Sequence, residues 1–464
     1  MARIAVIGAG MGALAAAARL ATGGHRVTVY ERSPTYGGGV GRYERDGFVF
    51  DTGPGLLHLP AVYRDLFIKT GKETLETCVS LRQVDPAIRH VFDDGTSVAL
   101  PNASRAGVIA ALDDALGAGT GTRWADLLGR AREVWEATRR PLLEDALAAD
   151  TAPLGRDPYP APPVRRGLFR RGAPTLAEVA ARELGDPRLA AMLEHYAVAY
   201  GFDPAVVPAS AAVLPYMEQT FGTWYVAGGM RALADAVYAR CVARGADFRF
   251  GADVAEVVEK DGRAAGLLLS DGARVEADVV VAGAPVPALH REQVVPGDYQ
   301  DERPAWGSAG ARRVVVCLAL RGSRPAEAVH RTVVHGSAPA GGRDVVVLRP
   351  DDPATRPDDG HEAVTLQVPL GSADPEDALL AAEAAVPGLR SRLLWHHALA
   401  PTDATPGPAL AGAAGAFLRT ANQAALPGLY FVGGWAHPGG GLAHTGMSGA
   451  IVSDLIAGGP GGSR

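Results

Sequence analysis

Gly8, Gly10, Met11, Gly12 and Ala13 follow the apolar run Ile4-Ala5-Val6-Ile7 almost without a break. Glycines at this spacing bare the backbone N–H groups at a helix start, where a pyrophosphate is well received. Glu31 lies about 20 residues further on, placed to accept hydrogen bonds from ribose hydroxyls and to repel a 2′-phosphate. Near the other end, Tyr430 to Gly441 reads YFVGGWAHPGGG, and His444 follows closely. Two glycine-rich segments so far apart are expected to clasp one long dinucleotide, which fits FAD better than a nicotinamide. A flavin takes a hydride from a C–H bond held over its ring, so the protein must position that bond, exclude water and receive a proton. His444, with an intrinsic pKa near neutrality, is the candidate acid or base; a loop-fixing role is the alternative. His437 reads as a loop-fixing histidine.

These groups need a strand, a helix and a second strand in that order. Ile4 to Ile7 has the composition of a buried parallel strand. The alanine- and leucine-rich stretch from Gly12 to Gly23 predicts a helix with small residues for close packing. Arg26 to Tyr30 predicts the second strand, ending at Glu31. Ala13 replaces the third glycine of the fingerprint, where only close packing is demanded.

The chain continues Arg32-Ser33-Pro34-Thr35-Tyr36-Gly37-Gly38-Gly39 and then Gly47-Phe48-Val49-Phe50-Asp51-Thr52-Gly53-Pro54. Here it resembles the phytoene desaturase-like flavoproteins, the carotenoid desaturase branch of the amine-oxidase superfamily. Leu66-Phe67, Asp85-Pro86, Phe221-Gly222-Thr223-Trp224-Tyr225, Gly228-Gly229-Met230, Ala277-Asp278-Val279-Val280-Val281 and Ser448-Gly449 carry the similarity along the chain. The resemblance implies an α/β fold: a discontinuous Rossmann-like FAD-binding domain of the glutathione-reductase-like superfamily, with an inserted α+β substrate domain. It implies non-covalent FAD held by Arg32, Gly37, Gly38, Gly39, Thr52, Gly53, Pro54 and Gly55, by the backbone of Val254, and by Gly433, Gly434, Pro438, Gly440, Gly441 and Leu442. Two positions depart from the family pattern. Gly39 stands where the family carries an arginine, so Arg42 is the candidate to reach the pyrophosphate from a longer loop. Ala443-His444-Thr445 stands where apolar residues or proline are more usual near the ring.

The expected flavin domain comprises residues 1–74, 221–285 and 421–464. Within it, Met230 to Arg244 predicts a helix, Asp247 to Phe250 and Val254 to Val258 predict strands, and Ser270-Asp271-Gly272 predicts a hairpin turn. Residues 75–220 are expected to form a mainly helical substrate or lid region, with helices over Ala106–Leu116 and Trp124–Leu147. Pro158 to Pro163 predicts a loop or lid hinge. Four arginines around Leu168 and Phe169 in residues 164–171 could rest on an anionic membrane or form a solvated loop. Residues 286–420 are expected to supply a sheet, with strands at Arg313–Leu318, Asp344–Leu348 and Thr365–Val368. Trp224, Tyr225, Tyr196, Tyr200, Tyr216 and Trp435 are candidate π faces, each more readily a core residue. The pairs His330-Arg331 and His396-His397 read as structural or rim residues, since neighbours on a strand face opposite ways. His195, with Tyr196 on the expected helix Leu189 to Tyr200, could line the cavity, but nothing in the sequence places it there. The tail Gly458 to Arg464 is expected to fray.

The net charge of −6 argues against a nucleic-acid partner. Three scattered cysteines, Cys78, Cys241 and Cys317, give neither a zinc pattern nor a disulfide framework, as in a reducing cytoplasm. No signal peptide or transmembrane helix is expected. The leading expectation is therefore a cytoplasmic FAD-dependent oxidoreductase, peripheral membrane contact being optional, that moves hydride between an apolar polyene or isoprenoid and flavin N5. Flavin-dependent reduction, isomerisation or cyclisation of a polyene natural product is the alternative. An amine oxidase ranks lower in an aromatic-poor chain with no cysteine near the C-terminal motif, and a flavin scaffold without turnover ranks last. The sequence leaves the electron acceptor open.

Overall fold

The computed structural model describes residues 1–165, 171–284, 313–337, 343–369, 375–400 and 406–458. Five parallel strands form the sheet on which the nucleotide fingerprint rests, in the order Asp247–Phe250, Arg26–Glu31, Arg3–Ile7, Val279–Ala282 and Leu429–Phe431. The chain therefore contributes to this sheet from its start, its middle and its end. The two central strands are built of Val, Ile and Ala and lie buried, as strands covered on both faces must be.

One face of the sheet carries the helix Met11–Thr22, which is buried along nearly its whole length. Its alanine run is a strong helix former and also permits close approach of a neighbour. That neighbour is the C-terminal helix Leu442–Ile456, through Gly449. A Cβ placed at Gly449 would stand 2.7 Å from the Ala16 backbone nitrogen, so only glycine fits this crossing. The helix Met230–Ala243 packs beside them and begins where Asp51 accepts hydrogen bonds from the Met230 N–H, at 2.9 and 3.1 Å. A carboxylate there meets both the unpaired N–H groups and the positive end of the helix dipole.

A second, seven-stranded sheet has the order Leu393–Ala398, Arg313–Arg321, His361–Pro369, Arg343–Leu348, Arg331–Ser337, Ile88–Val91 and Ser97–Leu100. Its last two strands come from the region expected to be mainly helical. Alternating Ile88 and His90, both buried, and a turn through Asp94 and Gly95 (φ +80°) make residues 88–100 a hairpin. It pairs parallel to Arg331–Ser337 and so couples the helical lobe to the sheet.

The helices of that lobe are Arg105–Leu116, Thr120–Arg139, Leu176–Glu183, Pro187–Ala199 and Val213–Phe221. Thr120–Arg139 stops short of the expected Leu147. A single wider turn, Arg140–Glu144, follows it, because Pro141 has no N–H for the regular ladder. The proline-rich stretch is tied down: buried Tyr159 donates a 2.7 Å hydrogen bond to Glu183, which also pairs with Arg130 at 2.6 Å. Val164–Arg165 and Arg171–Gly172 pair as a short ladder, while 166–170, with the expected membrane-contacting Leu168 and Phe169, lie outside the described residues. The same holds for residues 459–464 of the tail. No described helix is long and apolar enough to cross a membrane.

Candidate active site

The first glycine segment makes a tight turn between the first strand and the first helix. Gly8 sits at φ +84°, which side-chain-bearing residues rarely adopt. Gly10 precedes the helix with no side-chain cap, and a Cβ added there would meet no atom within 4 Å. Uncapped N–H groups facing open space form the cradle that a pyrophosphate requires. Glu31, at the end of its strand, accepts hydrogen bonds from Ala9 N–H at 2.7 Å and Ser33 N–H at 2.8 Å, so its carboxylate lies against the turn. Gly37 N–H donates to Ala9 O at 2.8 Å, and a Cβ on Gly38 would be 3.0 Å from Gly10 Cα. The loop 37–39 thus lies directly on the phosphate turn.

The remaining expected residues extend this surface. A Cβ on Gly53 would fall within 1.9 Å of Gly39 O, which brings the Thr52–Gly55 segment against the 37–39 loop. Val254 starts a strand just beyond Ala252, whose N–H donates to Glu31 O at 3.0 Å, so its backbone lies near the ribose-binding end. Arg32 is exposed. Arg42 is also exposed, and its Nε lies 2.6 Å from Glu44. A different arginine approaches the loop: Arg231 donates to Tyr36 O at 2.8 Å and Thr35 Oγ1 at 2.9 Å.

The second glycine segment meets the first. A Cβ on Gly12 would stand 2.8 Å from Gly433 Cα, 3.0 Å from Gly433 N and 3.1 Å from Thr445 O. Gly433, which precedes Gly434, is held by Ser448, whose Oγ accepts from Gly433 N–H at 3.0 Å and from Asn422 Nδ2 at 3.2 Å. Asn422 also donates to His437 O at 2.7 Å, fixing the loop through Pro438, Gly440 and Gly441. His437 is fully buried with Nε2 3.1 Å from Asp145 O, and burial lowers its pKa to about 4, which fits a loop-fixing role. Gly441, at φ +102°, then opens the helix that carries Leu442 and His444. The residues present fit FAD: a phosphate cradle, a ribose carboxylate and a glycine floor drawn from both ends of the chain.

Beside this floor lies a cavity with about 1140 Å³ of space free of protein atoms, part of it open to solvent. Pro54, Gly55, Leu442 and His444 form one wall. His444, buried, also lines a small adjoining, more apolar pocket, with about 380 Å³ of space free of protein atoms that includes open solvent, as do Leu214 and Met217. Burial, then the charges of His437 and Arg419, lower the His444 pKa to about 4, so its ring is uncharged at neutral pH. Of the aromatic candidates, Tyr196 and Tyr200 reach the large cavity; Trp224, Tyr216 and Trp435 pack against core clusters, and Tyr225 donates to Asp352 at 2.9 Å.

A family model described as flavin containing amine oxidoreductase matches residues 14–457. The chain belongs to that family. It is an FAD-dependent oxidoreductase. Among curated relatives it is 28% identical to 4,4′-diapolycopene oxygenase from Methylomonas sp, covering 98% of both chains. It is also 28% identical to the zeta-carotene-forming phytoene desaturase of Myxococcus xanthus, over 98% of this chain and 93% of that one. Solved structures of similar fold include an oxidoreductase from Methanosarcina mazei (TM-score 0.66, 18% identity, 98% and 99% coverage). A putrescine oxidase bound to putrescine is similar too (TM-score 0.68, 15% identity, 98% of both chains).

Other polar groups gather at the large cavity, with partners far off in sequence. His195 lines the large cavity, and its Nδ1 donates to Asp344 at 2.7 Å. Asp344 also lies 3.3 Å from His335, and His335 is 2.7 Å from His90. Burial would raise the Asp344 pKa, but hydrogen bonds from the two histidines hold it well below the usual carboxylate range. Arg331, half of a pair read as structural or rim residues, forms a buried ion pair with Glu218, one contact being 3.1 Å. Burial opposes ionisation of Glu218, yet Arg331 and His58 bring its pKa down to about 2. His396 and His397 lie on the outer strand of the large sheet, His397 stacked on Tyr43 at 4.8 Å, away from the cavity. Among the described residues no group of His, Cys, Asp and Glu is arranged to hold a metal.

Proposed function

We propose that this chain dehydrogenates a long polyene, taking a hydride from a carbon held beside the Pro54–Gly55 and Gly441–His444 segments. The observation that carries this reading is the cavity those segments line, adjoined at Leu214, Met217 and His444 by an apolar annex that residues such as Val134, Leu142, Val213 and Leu410 form. An elongated apolar chain suits that shape, and the diapolycopene and phytoene enzymes among the relatives carry such substrates in their names. FAD, when bound, supplies the hydride acceptor. The protein's part is to align the chain, exclude water and receive the proton released from the neighbouring carbon. His444, buried at the junction of the two cavities and uncharged, is placed to receive it.

Anaerobic mixing of the FAD-loaded protein with phytoene or a shorter polyene tests the proposal. Loss of the yellow flavin absorbance with formation of a longer conjugated product is expected. A flavin that stays oxidised with polyenes but bleaches with diamines would overturn it.

A further inference from the structure

The large cavity has a polar end that a hydrocarbon cannot use. Arg313 enters it from the strand Arg313–Arg321. Its guanidinium donates to Gln367 Oε1 at 3.1 Å and to Ala199 O at 2.6 Å. Gln367 in turn donates to Gly53 O at 3.1 Å, which ties this arginine to the Thr52–Gly55 segment expected to hold FAD. Among the described residues no carboxylate lies within ion-pair distance of Arg313. The other charges nearby are already matched, Arg331 with Glu218 and Asp344 with His195. The Nε of buried Arg331 also lacks a hydrogen-bond partner among the described residues. Arg313 is a half-buried cation without a counter-ion among the described residues, and a carboxylate is the ligand group that answers it with paired N–H···O bonds. Leu214, Met217 and His444 line both this cavity and the more apolar annex.

We propose that the substrate is an amphiphilic polyene with a terminal carboxylate, received by Arg313 while its apolar tail passes His444 into the annex. The inference rests on the polyene reading and narrows it. With the carboxylate anchored within two hydrogen-bonded links of Gly53, the reacting carbons belong to the polar end of the chain.

Equilibrium dialysis of the FAD-loaded protein against four C20 polyenes tests it: retinoic acid, retinal, retinol and the corresponding hydrocarbon. The acid is expected to bind about 10- to 100-fold more tightly than the other three, the range set by a charge-assisted hydrogen bond. Arg313→Gln is expected to remove that preference while leaving hydrocarbon binding in place. Because Arg313 also binds the carbonyl end of the helix Pro187–Ala199, the variant's melting curve is recorded alongside. Should the variant fail to fold, the wild-type ligand series decides the matter alone. Equal binding of acid and hydrocarbon would overturn the carboxylate assignment, leave the polyene reading standing and make Arg313 a helix cap. Preference for the aldehyde or alcohol would overturn it likewise. Binding of none of the four would overturn both.

Discussion

Two substitutions at the same turn should differ in their effect on stability. At Gly10 a methyl group would meet nothing within 4 Å, and the backbone (φ −71°, ψ 168°) is one that alanine adopts freely. Gly10→Ala should therefore change the stability of the FAD-free protein by less than about 0.5 kcal/mol. Its methyl would nevertheless occupy the space in which the pyrophosphate approaches the helix start. FAD affinity is expected to fall about 10- to 100-fold, or about 1.4–2.8 kcal/mol. At Gly12 the methyl would press on Gly433 Cα at 2.8 Å and Thr445 O at 3.1 Å, backbone atoms that cannot swing aside. Overpacking costs about 1–3 kcal/mol, against a helix-propensity gain of at most about 1 kcal/mol. With an unfolding entropy near 2 cal/mol/K per residue, a chain of 464 residues should lose up to about 3 °C in Tm. FAD should be lost as well, since the two glycine segments are wedged apart. The assays are differential scanning fluorimetry of FAD-free protein and titration of flavin fluorescence. Wild-type FAD affinity in Gly10→Ala would refute the placement of the pyrophosphate. Unaltered Tm and affinity in Gly12→Ala would refute the contact between the chain ends.

Glu31→Ala should weaken FAD retention and loosen the turn, because the carboxylate also receives the Ala9 and Ser33 N–H groups; unchanged flavin content after purification would contradict this. His444→Asn should lower single-turnover bleaching by about 10²- to 10⁴-fold with FAD affinity intact, and full activity would reduce His444 to packing. Glu218→Gln leaves Arg331 buried without its counter-ion and should cost about 3–5 kcal/mol in denaturant unfolding. The paired change Glu218→Leu with Arg331→Met should recover most of that loss. His437 and His444 titrate near 4 when folded because burial disfavours their charged forms. Their stability contribution is therefore fully present above the unfolded value near 6.5 and lost as pH falls towards 4. Asparagine at both positions should flatten the pH dependence of unfolding in that window.

The flavin half of the molecule was readable because its signals are local. An apolar run, a glycine turn, an alanine helix and an acid at fixed spacing specify one βαβ unit without any distant contact. The hairpin 88–100 was not readable as part of a sheet, since four-residue strands carry little periodic signal and their partner strand begins at Arg331. The polar end of the cavity was hidden for a related reason. Glu218 and Arg331 are 113 residues apart in the chain, and His195 and Asp344 are 149 apart. Only the packing of the helical lobe on the seven-stranded sheet makes them neighbours. Arg42 is close in sequence to the 37–39 loop, yet its strand turns it towards Glu44, whereas Arg231 arrives at the same loop from a helix in the middle of the chain.

Hydrogen–deuterium exchange of the protein with and without FAD tests the central claim most directly, that one cofactor is held jointly by both ends of the chain. Protection should appear together over residues 9–13, 31–39 and 433–444 when FAD is added. Protection confined to the N-terminal segments, with 433–444 exchanging as before, would contradict it.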